Sequence, residues 1–272
     1  MTRSTHRLAG RDVPAIGQGT WRMGHDPSSE VAALRAGIDL GMTVLDTAEM
    51  YADGRAEEVV AQAVKGCRDD VFVVSKVHPA NATKEATIRS CEASLRRLET
   101  DRVDLYLLHW RLGVPLSETV AAFERLHEQG KIGAWGVSNF NVADIADLPN
   151  GSIPAADQVL YNLMRRGPEA DLLPLCAEKG ISMMAYSPIE KGLLLTHPTV
   201  QSIADERSVT ASQIALAWAV RDGNIVAIPK AASLDHVRQN AAALDLRLTS
   251  EEVAALDEAF PAPGVVPLET LS

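Results

Sequence analysis

Residues 103–108, VDLYLL, are followed at once by His109, and apart from one acid the run is apolar on both faces of an extended chain. A strand with one face in water alternates; a strand that does not alternate must be covered on both faces. Similar short, β-branched runs recur at 43–46 (TVLD), 71–75 (VFVVS), 132–137 (IGAWGV), 156–160 (ADQVL), 181–186 (ISMMAY) and 225–228 (IVAI). Between them apolar residues fall at helical spacing: Val31, Leu34 and Ile38; Ile88, Cys91, Leu95 and Leu98; Val120, Phe123 and Leu126. Their opposite faces are charged. Most repeats are about 25 to 30 residues long, the size of a βα unit. A weaker strand near Pro14–Gly17 brings the count to eight, which fits a closed (β/α)8 TIM barrel better than an open doubly wound sheet. The opening HRLAGRDVPAIG, with a turn centred on Gly10, predicts an N-terminal β-hairpin plugging the bottom of the barrel. Thr249 with Glu252 is a capping box, which predicts an extra C-terminal helix. No linker rich in Gly, Ser or Pro interrupts the pattern, so residues 1–272 are expected to form a single barrel domain.

Composition narrows the function classes. The chain is 46% hydrophobic and 23% charged, with a net charge of −10. Its acids and bases are mixed along the chain, which argues against a nucleic-acid or anionic-membrane surface and requires any anionic ligand to find a local basic site. No stretch approaches 18 apolar residues, and MTRSTHRLAGRDVP lacks the apolar core of a secretory signal, so a cytoplasmic protein is expected. Cys67, Cys91 and Cys176 are widely spaced and form no CxxC pair; they read as small buried hydrophobes. His127-Glu128-Gln129-Gly130-Lys131 lacks the second histidine of a zinc-protease helix, so no metal is expected. Gly17-Gln18-Gly19 starts like a dinucleotide fingerprint, but its last glycine is missing. GxxxxGK[ST] and GxSxG motifs are absent. A nucleotide, if bound, is therefore not held in a Rossmann or P-loop manner.

Asp46, Lys76 and His109 each end a different apolar run, and in a barrel the carboxyl ends of the strands converge on one face. Tyr51 follows Asp46 closely enough to lie on the next loop. These four types suit carbonyl reduction, in which hydride attack builds negative charge on oxygen that a proton must quench. Tyrosine is a poor acid unaided, with an ordinary pKa of about 10. A Lys76 ammonium beside it favours the phenolate, Asp46 can hold that lysine charged, and a neutral His109 can orient the carbonyl oxygen.

The segments 41–54 (GMTVLDTAEMYADG), 74–77 (VSKV), 104–110 (DLYLLHW), 136–140 (GVSNF), 157–162 (DQVLYN), 185–188 (AYSP) and 228–230 (IPK) resemble, in order and over almost the whole chain, the signature segments of aldo-keto reductases. EMYADG, CEASLRRL and IPKAA look most like bacterial methylglyoxal-reductase-like members. The resemblance implies that Asp46, Tyr51, Lys76 and His109 are a catalytic tetrad reducing small aldehydes or ketones, 2-oxoaldehydes among them, with NADPH, NADH being possible. It implies that Ser138, Asn139 and Gln158 hold the nicotinamide carboxamide and that Tyr186 stacks on the ring. Gly19 and Thr20 fall at cofactor-side positions, Ser187 and Lys230 at phosphate contacts, and Asn240 at an adenine contact. Trp21, Met50 and Trp110, with His109, line the substrate pocket. Around the 2'-phosphate the chain departs from the family pattern, having Ala231, His236 and Gln239 where Ser or Thr, Arg and Glu are frequent. Arg238, on a helical segment, is expected to assist Lys230 there. Short loops after Trp110 and Pro188 and a short tail from Pro261 imply an open pocket. A monomer is expected, with no partner beyond its small carbonyl substrate. The alternative reading is an NADP(H)-binding, redox-sensing regulatory subunit with little turnover.

Overall fold

The computed structural model describes residues 4–271. Its central sheet has eight parallel strands in sequential order: β3 (Gln18–Gly19), β4 (Val44–Asp46), β5 (Phe72–Val77), β6 (Val103–Leu108), β7 (Ile132–Ser138), β8 (Ala156–Leu160), β9 (Ser182–Tyr186) and β10 (Ile225–Ala227). The sheet closes on itself. Ile16 bridges Ala227 and Gly19 bridges Lys230 in parallel, with the Gly17 N–H donating to the Ala227 carbonyl at 2.8 Å and the Gly19 N–H to the Pro229 carbonyl at 3.0 Å. This seam needs glycine: a Cβ on Gly19 would lie 2.8 Å from the Ile228 carbonyl oxygen. The closing strand therefore sits slightly later than the expected Pro14–Gly17. Residues 11–14 go instead to a hairpin, β1 (Thr5–Leu8) with β2 (Arg11–Pro14), turning at Ala9–Gly10.

Strand period decides what faces inward. Val44, Phe72, Val74, Leu105, Leu107, Ala156, Met184 and Val226 form one buried cluster inside the barrel, and the hairpin's Leu8 and Val13 join it, so the hairpin does plug the floor. Alternate residues such as Leu45, Val73, Tyr106, Val137, Val159 and Met183 belong to a second cluster, shared with the surrounding helices. The helices around the sheet are α1 (Pro27–Asp39), α2 (Arg55–Val64), α3 (Lys84–Arg97), α4 (Leu116–Glu128), α5 (Val142–Ala146), α6 (Leu172–Lys179), α8 (Ala211–Ala219) and α9 (Leu234–Ala242), the last packing through Val237 and Ala241 in a third cluster with Ala33 and Leu216. Leu34, Cys91, Leu95, Val120, Phe123 and Leu126, all on the apolar stripes read from the sequence, are buried. Cys176 is buried too, Cys67 is half-buried, and all three thiols are free.

Two helices stand outside the eightfold repeat. The C-terminal α10 (Ser250–Ala259) starts with the expected capping box: the Glu252 N–H donates to Thr249 Oγ1 at 3.2 Å, and the Thr249 N–H donates to Glu252 Oε2 at 2.7 Å. Helix α7 (Pro198–Arg207), before α8, is a finding of the structure; it buries only Val200, Ile203 and Ala204, too weak a stripe to read from periodicity. No helix among the described residues is long and apolar enough to cross a membrane.

Candidate active site

Inward-facing positions change character along each strand. In β4 the apolar Val44 gives way two residues on to Asp46, in β5 Phe72 and Val74 give way to Lys76, in β8 Ala156 to Gln158, and in β9 Met184 to Tyr186. Period two thus carries four polar side chains onto one layer at the carboxyl ends of the strands.

At the centre is Lys76, fully buried. Its Nζ donates to Asp46 Oδ2 at 2.8 Å, to the Thr47 carbonyl at 2.9 Å and to Tyr51 Oη at 3.4 Å. An ammonium has three protons, and each has an acceptor here. Burial alone would strip the lysine of its charge, but the carboxylate of Asp46 and the Tyr51 oxygen outweigh it and raise its pKa. For Tyr51 the balance differs from the sequence expectation. Lys76 does favour the phenolate, yet loss of water around the hydroxyl is the larger effect, and with the Asp46 charge it raises the phenol above its usual range. Tyr51 is thus a neutral acid with a cation beside it, ready to stabilise the phenolate once its proton leaves.

His109 directly follows β6, and its ring meets that of Tyr51 edge-on at 5.7 Å between centroids. Burial first, then the Lys76 charge and His78, push the imidazole down to about 2. The ring is neutral, as expected. Its Nδ1 is buried with no hydrogen-bond partner among the described residues, which leaves Nε2 as the ring's available polar edge.

The residues expected at the carboxamide form one connected group. Ser138 Oγ and the Asn139 N–H both donate to the Gln158 carbonyl, at 2.8 and 2.9 Å. Asn139 Nδ2 donates to the His109 carbonyl at 3.1 Å, and Tyr186 Oη donates to Asn139 Oδ1 at 2.8 Å. Asn139 holds this position in a left-handed backbone, φ 61°. Gln158 Nε2 donates to Asp46 Oδ1 at 2.7 Å, a link to the Asp46–Lys76 pair that composition and spacing do not announce. Thr20, fully buried, donates its hydroxyl to the Asp46 carbonyl.

Around this layer, Trp21 and Met50 are 41% and 42% exposed at an open mouth. Trp110 lies edge-on to both His109 and His78, at 4.9 and 5.1 Å. Lys230 is exposed and makes no ion pair among the described residues, Ser187 is half-buried in a left-handed backbone, and Asn240 is buried on α9. Arg238 stands on the same helix but is 65% exposed and paired with Asp235 at 3.0 Å, so its charge is already engaged in solvent. Three features escaped the sequence reading. Glu49 Oε1 accepts the His78 N–H and Asn81 Nδ2. Arg22 and Lys191 lie over the Trp21 ring at 4.3 and 5.6 Å. The C-terminal tail returns to the site, with the Leu271 N–H donating to Tyr186 Oη at 3.4 Å and Arg165 bridging Glu269 to the buried Glu190. Among the described residues no cluster of three or more His, Cys, Asp or Glu is placed to hold a metal ion.

The model of the Aldo/keto reductase family matches residues 15–260. Methylglyoxal reductase YeaE of Escherichia coli (strain K12) is 53% identical over 262 residues, 92% of each chain. Glyoxal reductase of Bacillus subtilis (strain 168) is 31% identical over 253 residues, covering 91% of this chain and 89% of its own. An aldo-keto reductase from Klebsiella pneumoniae, crystallised in complex with NADPH, superposes with a TM-score of 0.97 at 50% identity over 100% of both chains.

Proposed function

The chain belongs to the aldo/keto reductase family, and on that premise we propose that it reduces small aldehydes and ketones, 2-oxoaldehydes such as methylglyoxal among them, at the expense of NADPH. The observation that carries this reading is Lys76, buried between the Asp46 carboxylate and the Tyr51 hydroxyl beside a neutral His109. The donor set suits the cofactor. An ionised Asp46 accepts only, so Gln158 must turn its NH2 toward it; its Oε1 is then free to accept from a carboxamide. Lys230 and Ser187 offer a cation and a hydroxyl for phosphate.

When bound, the nicotinamide supplies the hydride. The chain's own groups do the rest. His109 Nε2 and Tyr51 Oη receive the substrate carbonyl oxygen between two neighbouring rings. Tyr51 gives its proton to that oxygen as charge develops there, so the carbonyl becomes an alcohol and the tyrosine a phenolate. Lys76 stabilises the phenolate at contact distance, and Asp46 keeps Lys76 charged and aimed. General acid catalysis of this kind is worth roughly 100- to 10,000-fold. The aromatic mouth of Trp21, Trp110 and Met50 suits short or flat substrates, and Lys230 is the residue assigned to the 2'-phosphate. We take the whole chain as one domain working as a cytoplasmic monomer. Purified protein, NADPH and a panel of methylglyoxal, glyoxal and larger aldehydes, followed by absorbance, test the activity; absence of turnover on every member refutes it.

A further inference from the structure

We propose that Gln158 is a positioning residue for the proton donor as well as a cofactor contact: its amide locks the Asp46 carboxylate and, through it, the Lys76 ammonium that faces Tyr51. The geometry is closed at every joint. Asp46 is buried, and each of its carboxylate oxygens has one side-chain donor, Lys76 Nζ on Oδ2 at 2.8 Å and Gln158 Nε2 on Oδ1 at 2.7 Å. With one donor on each oxygen, rotation about the Cβ–Cγ bond breaks both contacts at once. Without Gln158, Oδ1 is a buried acceptor with no partner, and the plane that holds Lys76 is free to turn.

Gln158 is itself held from behind. Its carbonyl accepts both the Ser138 hydroxyl and the Asn139 N–H. Its side chain is buried, with Nε2 3.8 Å from Met184 Sδ on the neighbouring strand. The amide has only one productive orientation, because an NH2 must face the carboxylate. The opposite end of the same amide therefore accepts from the cofactor, so one side chain senses the nicotinamide and braces the acid. This part of the inference rests on the proposed NADPH-dependent activity; the brace on Asp46 does not.

The proposal gives a distinctive pH behaviour. The groups around Asp46 are Lys76 from β5, Tyr51 from the loop after β4, His109 after β6 and Tyr186 from β9. Lys76 and Tyr51 are raised above their usual ranges, Tyr186 is pushed up to about 12 and His109 down to about 2. All four shifts run away from neutrality, so a limb that appears there only in Gln158→Glu belongs to the new carboxyl. In Gln158→Glu the new carboxyl, when protonated, still donates to Asp46 Oδ1. Once ionised it sets a second carboxylate against Asp46 and pulls Lys76 away from Tyr51.

The experiment uses three readouts on wild type, Gln158→Glu and Gln158→Met. They are kcat against pH with methylglyoxal, NADPH affinity by fluorescence quenching, and the 13Cζ resonance of Tyr51 in cofactor-free protein at neutral pH, assigned with Tyr51→Phe. The expected result is a new descending limb in the kcat profile of Gln158→Glu, a pH-independent loss of about 10- to 100-fold in kcat for Gln158→Met, and a shifted Tyr51 resonance in both. A kcat within twofold of wild type in Gln158→Met, with an unmoved Tyr51 resonance and only NADPH affinity altered, overturns the proposal. If Gln158→Glu does not fold, the resonance and kcat of Gln158→Met decide alone. Failure of wild type to turn over NADPH strikes the assigned activity, whereas the Tyr51 resonance tests the brace without cofactor or substrate.

Discussion

Replacing Lys76 by methionine separates what the lysine does for chemistry from what it costs in stability. Methionine fills most of the same volume, so packing inside the barrel mouth is largely kept. What goes is the ammonium and its three hydrogen bonds, to Asp46, Thr47 and Tyr51. Asp46, also buried, then keeps only the Gln158 amide as a side-chain donor to its charge. Removing one member of a buried ion pair costs about 3–5 kcal/mol, because the other is left uncompensated. For a chain of this length that is a fall in melting temperature of about 6–20 °C, at roughly 2–4 °C per kcal/mol. Replacing both members by neutral groups is commonly close to neutral. Lys76→Met with Asp46→Asn should therefore recover most of the lost stability, while both the single and the double variant lose about 100- to 10,000-fold in kcat. Thermal unfolding and steady-state kinetics on wild type, the two single variants and the double variant form a complete cycle. A double variant no more stable than Lys76→Met would falsify the claim that an orphaned Asp46 charge is the source of the loss. A Lys76→Met enzyme with near wild-type kcat would remove the lysine from the chemistry.

Tyr51→Phe should lower turnover about 100- to 10,000-fold while leaving NADPH affinity within a fewfold of wild type, since in the proposed reaction the hydroxyl acts on the substrate oxygen; stopped-flow turnover with fluorescence binding checks both. NADPH should be preferred over NADH, and the preference should fall in Lys230→Ala but persist in Arg238→Ala, because Arg238 is already paired with Asp235 in solvent; kcat/KM for both cofactors in the three proteins decides it. Asp157 is fully buried, and neither of its oxygens has a side-chain hydrogen-bond partner among the described residues. Burial raises its carboxyl well above the usual range, against the weaker pull of the Phe140 and Gln158 backbone groups. The folded state thus binds this proton more tightly than the unfolded chain, so stability is lost as pH climbs from about 4 toward the raised folded pKa. Asp157→Asn should flatten that part of the stability-against-pH curve and be the more stable protein at pH 8, by about 1–3 kcal/mol. Parallel curves for the two proteins in urea titrations would show Asp157 uninvolved.

The strands, most of the helices and the meeting of Asp46, Lys76 and His109 at one end of the barrel were legible because their signals are local. A strand covered on both faces is an unbroken apolar run, and a polar residue that ends such a run in a barrel has to emerge at the mouth; Asp46, Lys76 and His109 declare themselves that way. Thr249 and Glu252 announce a helix start across three residues. The contents of β8 were legible too, but not their use: Gln158 and Asp46 are 112 residues apart in sequence, and only closure of the barrel brings the amide onto the carboxylate. The same holds for the seam around Gly17 and Gly19: β3 is too short to carry a pattern, and it is the pairing with β4 on one side and the bridges to Ala227 and Lys230 on the other that define it. Helix α7 packs against α8 and α10 through a weak stripe, and the tail from Pro261 takes its path from distant residues, with Leu268 packed on the core, Glu269 paired with Arg165 and the Leu271 N–H on Tyr186 Oη. Charge states were the least accessible from sequence. Residue identity says that Lys76 pulls the Tyr51 phenol down, but water removed by the whole fold outweighs one neighbouring cation. The helical position of Arg238 permits a phosphate contact, and only the structure shows that it also pairs with Asp235 one turn earlier in solvent. Types and periods follow from neighbours along the chain. Burial, closure and the balance of charges follow from distances between groups the chain places far apart, which is why the tertiary structure alone decided them.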